Sequence, residues 1–146
     1  MKKILLGAGA LLIIILTGVF TDITQQKDIS ADITAHIESK KDLIIVSSPT
    51  PQKTITSPVA IQGKARGYWF FEASFPIILT DWDGKIIAEG YATAQSDWMT
   101  EDFVPFESTL EFTTPDTYNR GVLILQKANA SGLPEHDDAL EIPVAF

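Results

Sequence analysis

The chemistry open to this chain rests on carboxylates, hydroxyls and two imidazoles. The 146 residues hold 19 Asp and Glu, two His and no Cys. Without cysteine there are no disulfides, thiolate metal sites or cysteine nucleophiles. His136, flanked by Glu135 and Asp137, has the form of a general base, yet no nucleophile motif accompanies it. The patterns G-x-S-x-G and H-E-x-x-H and the phosphate-binding loops are all absent. Glu72 with Asp97 or Glu107 would make a glycosidase pair if the carboxyls stood about 5–10 Å apart. Asp81, Asp83, Glu135, Asp137 and Asp138 raise a calcium site, because hard cations take several oxygens. However, Asp81-Trp82-Asp83-Gly84 does not open a twelve-residue calcium loop, and turn geometry accounts for Asp83-Gly84. Carboxylates at this density are ordinarily a solvated surface. The expectation is no catalysis, no metal and no cofactor.

Binding chemistry is better represented. The densest stretch is Ala65-Arg66-Gly67-Tyr68-Trp69-Phe70-Phe71-Glu72-Ala73. Exposed, Trp69 and Tyr68 would stack on a sugar or grip a peptide, and Arg66 would hold a carboxylate at two points. Buried, the same aromatics fill a core and Arg66 pairs with a carboxylate such as Glu72. A second cluster runs from Asp97 to Phe106, where Trp98 and Phe103 cap one end of the core or form a loop platform. Asn129 opens the loop Asn129-Ala130-Ser131-Gly132-Leu133-Pro134, in which it adopts positive φ or bonds its own backbone.

The elements that must position these residues are strands. Leu43 to Val46 is a β-branched run stopped by Ser47-Ser48-Pro49-Thr50-Pro51. In the run Pro58 to Gln62, Val59 and Ile61 face one way. Tyr68 to Phe71 and Phe75 to Thr80 are aromatic and β-branched, and Asp83-Gly84 marks a hairpin into Lys85 to Thr93. Residues 106–112 put Phe106, Leu110 and Phe112 on one face with Glu107, Thr109 and Glu111 on the other. Gly121 to Gln126 is continuously apolar, which predicts a central strand covered on both faces. The last strand turns Leu140, Ile142, Val144 and Phe146 inward, and Pro143 places it at an edge. Seven or eight short strands with no helical period between them predict an all-β, immunoglobulin-like antiparallel β-sandwich over 42–146. A small barrel is the alternative.

Ahead of this domain, Lys2 and Lys3 precede an uncharged apolar run from Ile4 to Phe20. Its 17 residues span roughly 25 Å as a helix, the short end of a bilayer core. The two lysines predict a membrane anchor with the remainder of the chain exported, and a cleaved signal peptide is the alternative. Residues 21–41 form a polar, partly helical spacer in which Ile29, Ile33 and Ile37 make one thin stripe. The formal charge is −8, and −10 without residues 1–20, where 9 basic face 19 acidic side chains. Such a field repels phosphate backbones and argues against nucleic acid as a partner.

Several of these clusters, in this order, resemble the bacterial spore-germination immunoglobulin-like domain. They are Ser57-Pro58 leading to Gly63, Ala65-Arg66-Gly67, Trp69-Phe70-Phe71-Glu72-Ala73, Phe75-Pro76 and Asp83-Gly84. They continue with Trp98-Met99-Thr100, Val104-Pro105-Phe106, the loop Asn129 to Pro134, and Ile142-Pro143-Val144-Ala145-Phe146. The resemblance covers about residues 43–146. It implies an immunoglobulin-like fold and an extracytoplasmic setting, with no catalytic residues and no ligand to carry over. The functional expectation is a membrane-anchored, non-enzymatic envelope domain acting by adhesion or as a scaffold for proteins. The alternatives are a cell-wall glycan module using Trp69 or Trp98 as a flat platform, and a hydrolase built on acidic residues.

Overall fold

Alternating side chains fold this chain into β-structure. A computed structural model describes residues 30–146, so the apolar run and most of the polar spacer, with Ile29, lie outside the described residues. The strands are β1 (Ile44–Ser48), β2 (Val59–Arg66), β3 (Ser74–Asp81), β4 (Ile86–Ala94), β5 (Phe103–Leu110), β6 (Arg120–Gln126) and β7 (Ala139–Ala145). All neighbours are antiparallel, in the order β1-β2-β5-β4-β3-β6-β7. The long ladders group as β1-β2-β5 and β4-β3-β6-β7. Only Thr93–Glu107 and Ala94–Phe106 join the two groups. This is the expected immunoglobulin-like sandwich, with its two layers continuous through one short seam.

Period-two alternation builds the core. Val59, Ile61 and Ala65 of β2, Val104, Phe106 and Leu110 of β5, and Phe75, Ile77 and Leu79 of β3 are buried. Leu123 and Leu125 of β6 and Leu140, Ile142 and Val144 of β7 complete it. The Phe75 ring meets Phe106 edge-on at 5.0 Å and Phe70 at 5.2 Å, a geometry that aromatic quadrupoles favour. The continuous apolar run of β6 is interior in the sheet, as expected. Its second face is only half covered, since Val122 and Ile124 are partly exposed.

Two strand assignments change. Tyr68 to Phe71 is not a strand: Gly67–Trp69 form a 3-10 turn, after which Phe71 and Ser74 exchange backbone hydrogen bonds. Between those two residues Glu72 (φ 51°) and Ala73 (φ 62°) adopt the left-handed region. The strand expected over 106–112 begins earlier, at Phe103, and ends at Leu110.

Beyond the ladders, the outer edge of β7 is covered twice. After the proline-rich turn the chain runs along it: Gln52 N–H donates to Pro143 O, Ala145 N–H to Lys53 O, and Ile55 N–H to Ala145 O. Farther up, His36 Nε2 accepts the Glu141 N–H at 3.1 Å, and Lys40 pairs with Asp138. Covering an exposed ladder in this way removes a template for strand addition. Residues 30–40 are helical, and the compact unit begins at His36, with Ile37 packed against the core. Among the described residues no helix is long and apolar enough to cross a membrane.

Candidate functional site

The turn after β2 and the loops β4–β5 and β6–β7 meet at one end of the sandwich, and this end holds the aromatic and loop residues singled out from the sequence. Gly67 is the meeting point. It donates to Asp102 O at 3.1 Å, and its Cα faces the Trp98 and Thr100 carbonyls so closely that a Cβ would lie 2.3 and 1.9 Å from them. The β4–β5 loop is therefore seated directly on the chain following Arg66.

Arg66 does not pair with Glu72. Its Nε donates to Asp42 O at 2.9 Å and an Nη to Glu101 O at 3.3 Å, while the guanidinium stacks 4.1 Å from the Phe103 ring centroid. It ties the start of β1 to the start of β5, and the planar fork suits two carbonyls at once. Trp69 is fully buried at 0% exposure, which removes it as a platform. Its Nε1 has no hydrogen-bond partner, a cost that the burial of the whole indole offsets. Trp98 is half-buried against the core.

The 3-10 turn sorts its aromatics in a way that strand alternation would not. Trp69 and Phe70 go in, while Tyr68 and Phe71 stay about half exposed. Phe71 lines an open depression of about 410 Å³ together with Glu72, Pro76, Tyr91, Ala128 and Asn129. Tyr91, on β4, is 66% exposed. Nothing in the sequence set Tyr91 apart, because the small residues Gly90 and Ala92 on either side of it mark no face. Met99, at 76% exposure, stands on the β4–β5 loop, and Leu133 on the β6–β7 loop.

Asn129 organises the β6–β7 loop through its side chain and does not need positive φ. Its Nδ2 donates to Leu133 O and Asp137 Oδ1, and its Oδ1 accepts from Ser131 Oγ and Gly132 N–H. The loop also brings Ser131 Oγ within 2.9 Å of His136 Nδ1, a pair not anticipated from the sequence. The hydroxyl is held by Asn129 and by the Leu133 N–H, and the nearby Gly132 N–H is already bonded.

Asp81, Asp83, Asp97 and Glu107 have local duties. Asp81 Oδ1 accepts the Asp83 and Lys85 N–H groups and so shapes the β3–β4 hairpin, where Gly84 takes φ 81°. Asp83 accepts the Tyr118 hydroxyl, and this hydrogen bond holds the phenol above its ordinary value of 10.0. Asp97 accepts the Met99 N–H, and Glu107 accepts from Gln62 within the β2–β5 ladder. Among the described residues no three His, Asp or Glu side chains form a metal-binding group. At the opposite end, Trp82 is partly exposed with Arg120 3.8 Å over its ring.

No curated protein and no solved structure matches the chain. A family model does, over residues 43–132, which reaches from the start of β1 through the turn, seam and depression into the Asn129 loop. That match spans more than half of the sequence. The chain belongs to the family described as the immunoglobulin-like domain of bacterial spore germination.

Proposed function

We propose that this chain is a non-enzymatic interaction domain of the cell envelope, working by adhesion or as a scaffold for protein partners through its loop-bearing end. The apolar run Ile4–Phe20 serves as its membrane anchor, with the domain on the extracytoplasmic side; Lys2 and Lys3 ahead of the run support this orientation. One observation carries the contact surface. Of the eight large hydrophobic side chains exposed among the described residues, Tyr68, Phe71, Tyr91, Met99 and Leu133 belong to this end. Clustered exposed apolar groups on a rigid frame are the usual mark of a protein contact. Trp69 is buried and Trp98 half-buried, so the protein-contact reading has more exposed apolar surface behind it than the glycan reading built on these two tryptophans.

The test places a photoreactive phenylalanine analogue in the full chain at Tyr68, Phe71, Tyr91 or Met99, with Glu111 as the control beyond β5. Irradiation in intact cells yields discrete protein adducts at the first four positions and none at Glu111. Adducts at Glu111 alone, or none anywhere, would reject this surface.

A further inference from the structure

Three cations of this domain rest on aromatic rings. Arg66 and Lys64 both lie over Phe103, at 4.1 and 5.1 Å, and Arg120 lies over Trp82. Phe71 and Tyr91 are among the most exposed aromatics, and among the described residues no cation lies over either. Both line the same depression, whose apolar wall includes Pro76 and Ala128.

Among the described residues, Glu72 is the only charged side chain lining it, and it takes part in no ion pair. The hydrogen-bonded turn Phe71–Ser74 fixes the backbone from which that side chain projects. Asn129, the amide side chain on the rim, has both its Nδ2 and its Oδ1 committed inside its own loop. Among the described residues that line it, the depression therefore offers aromatic rings and one carboxylate, with no basic group to receive an anion. Residues 30–146 carry 8 basic and 17 acidic side chains, a net −9, which adds a long-range pull of the same sign.

We infer that this depression receives a cationic side chain, arginine or lysine, from an extended segment of a partner protein, set against Phe71 and Tyr91 with Glu72 as its counter-charge. A ring face and a carboxylate together select a cation over a neutral isostere. The assignment rests on the interaction reading above and gives it a ligand chemistry.

Titration of the isotope-labelled full chain with tetraarginine, tetralysine or tetracitrulline amide, followed by amide NMR at about 0.15 M salt, tests it. The two cationic peptides produce saturable shifts at residues 71–75, 91 and 128–130, and their relative affinities tell arginine from lysine. Tetracitrulline, which keeps the shape without the charge, produces none. Glu72→Gln and Tyr91→Ala each weaken binding by about tenfold; both positions are exposed, so folding is retained. The assignment fails if shifts spread over the acidic surface without saturation, if tetracitrulline binds equally, or if both variants bind like the parent. Adducts at Phe71 or Tyr91 alongside a failed titration would leave the interaction reading standing and remove only the cation site. Saturable shifts without adducts would do the reverse.

Discussion

Replacing Gly67 by alanine measures how firmly the β4–β5 loop is seated. The new Cβ would stand 1.9 Å from Thr100 O and 2.3 Å from Trp98 O. Ordinary contact begins at 3.4 Å, so the nearer carbonyl must retreat by about 1.5 Å. Both obstacles are backbone, and no side-chain rotation relieves them. A shift of that size takes the Gly67 N–H to Asp102 O bond, now 3.1 Å, out of range, and with it the 3.3 Å contact of Arg66 to Glu101 O. Two hydrogen bonds at about 1 kcal/mol each, plus roughly 1–2 kcal/mol of overpacking, come to about 3 kcal/mol. The lower entropy of an unfolded chain with alanine returns about 0.5 kcal/mol. At about 4 °C per kcal/mol for a domain of this size, the melting temperature falls by about 10 °C. Gly84→Ala is the comparison: its site is open, and only the φ of 81° penalises a side chain, for about 1 kcal/mol or 4 °C. Calorimetry on the two variants decides. If Gly67→Ala melts within about 3 °C of the parent, or above Gly84→Ala, the loop does not rest on Gly67 and the placement of Trp98 and Met99 is wrong.

Three further outcomes follow from the same contacts. Arg66→Ala loses two carbonyl hydrogen bonds and the Phe103 stack, each discounted for solvent, and destabilises by about 2 kcal/mol in thermal melts; Arg66→Lys recovers less than half, because an ammonium lacks the fork. Tyr118, labelled at its phenol carbon and titrated by NMR, ionises above 10.0, and Asp83→Asn returns it toward that value. The sign follows: the phenol is held protonated in the folded chain, so its stabilisation is complete below pH 10.0 and disappears as pH rises through the raised value. An unchanged titration in Asp83→Asn removes that hydrogen bond as the cause. His36→Ala exposes the Glu141 N–H on the outer edge of β7, and hydrogen exchange at that amide accelerates by at least about fivefold while Leu123 and Leu125 in the core stay protected.

Much of the fold was legible in the residues because strand burial has a local signature. Val59 and Ile61, Phe106 and Leu110, and Leu140, Ile142 and Val144 alternate with small, proline or polar neighbours, and those faces are the buried ones. Asp83-Gly84 signalled its hairpin because glycine tolerates a φ that other residues resist. The turn at Glu72-Ala73 gave no such notice. It holds two left-handed residues with neither glycine nor asparagine, and surrounding hydrogen bonds sustain it against a cost of about 1–2 kcal/mol per residue.

The chain's own order of residues determined the all-β class, the spacing of the strands, the acidic charge and the absence of thiol chemistry. Tertiary structure alone decided which aromatics face out. Tyr68-Trp69-Phe70-Phe71 has no period to follow, and the 3-10 turn sends its middle pair inward. Tertiary structure also turned Arg66 toward two carbonyls, gathered Phe71, Tyr91 and Asn129 into one depression, and laid His36 against Glu141. These partners lie far apart along the chain. Local pattern records whether a side chain prefers water, but which distant neighbour it meets depends on how the ladders pair.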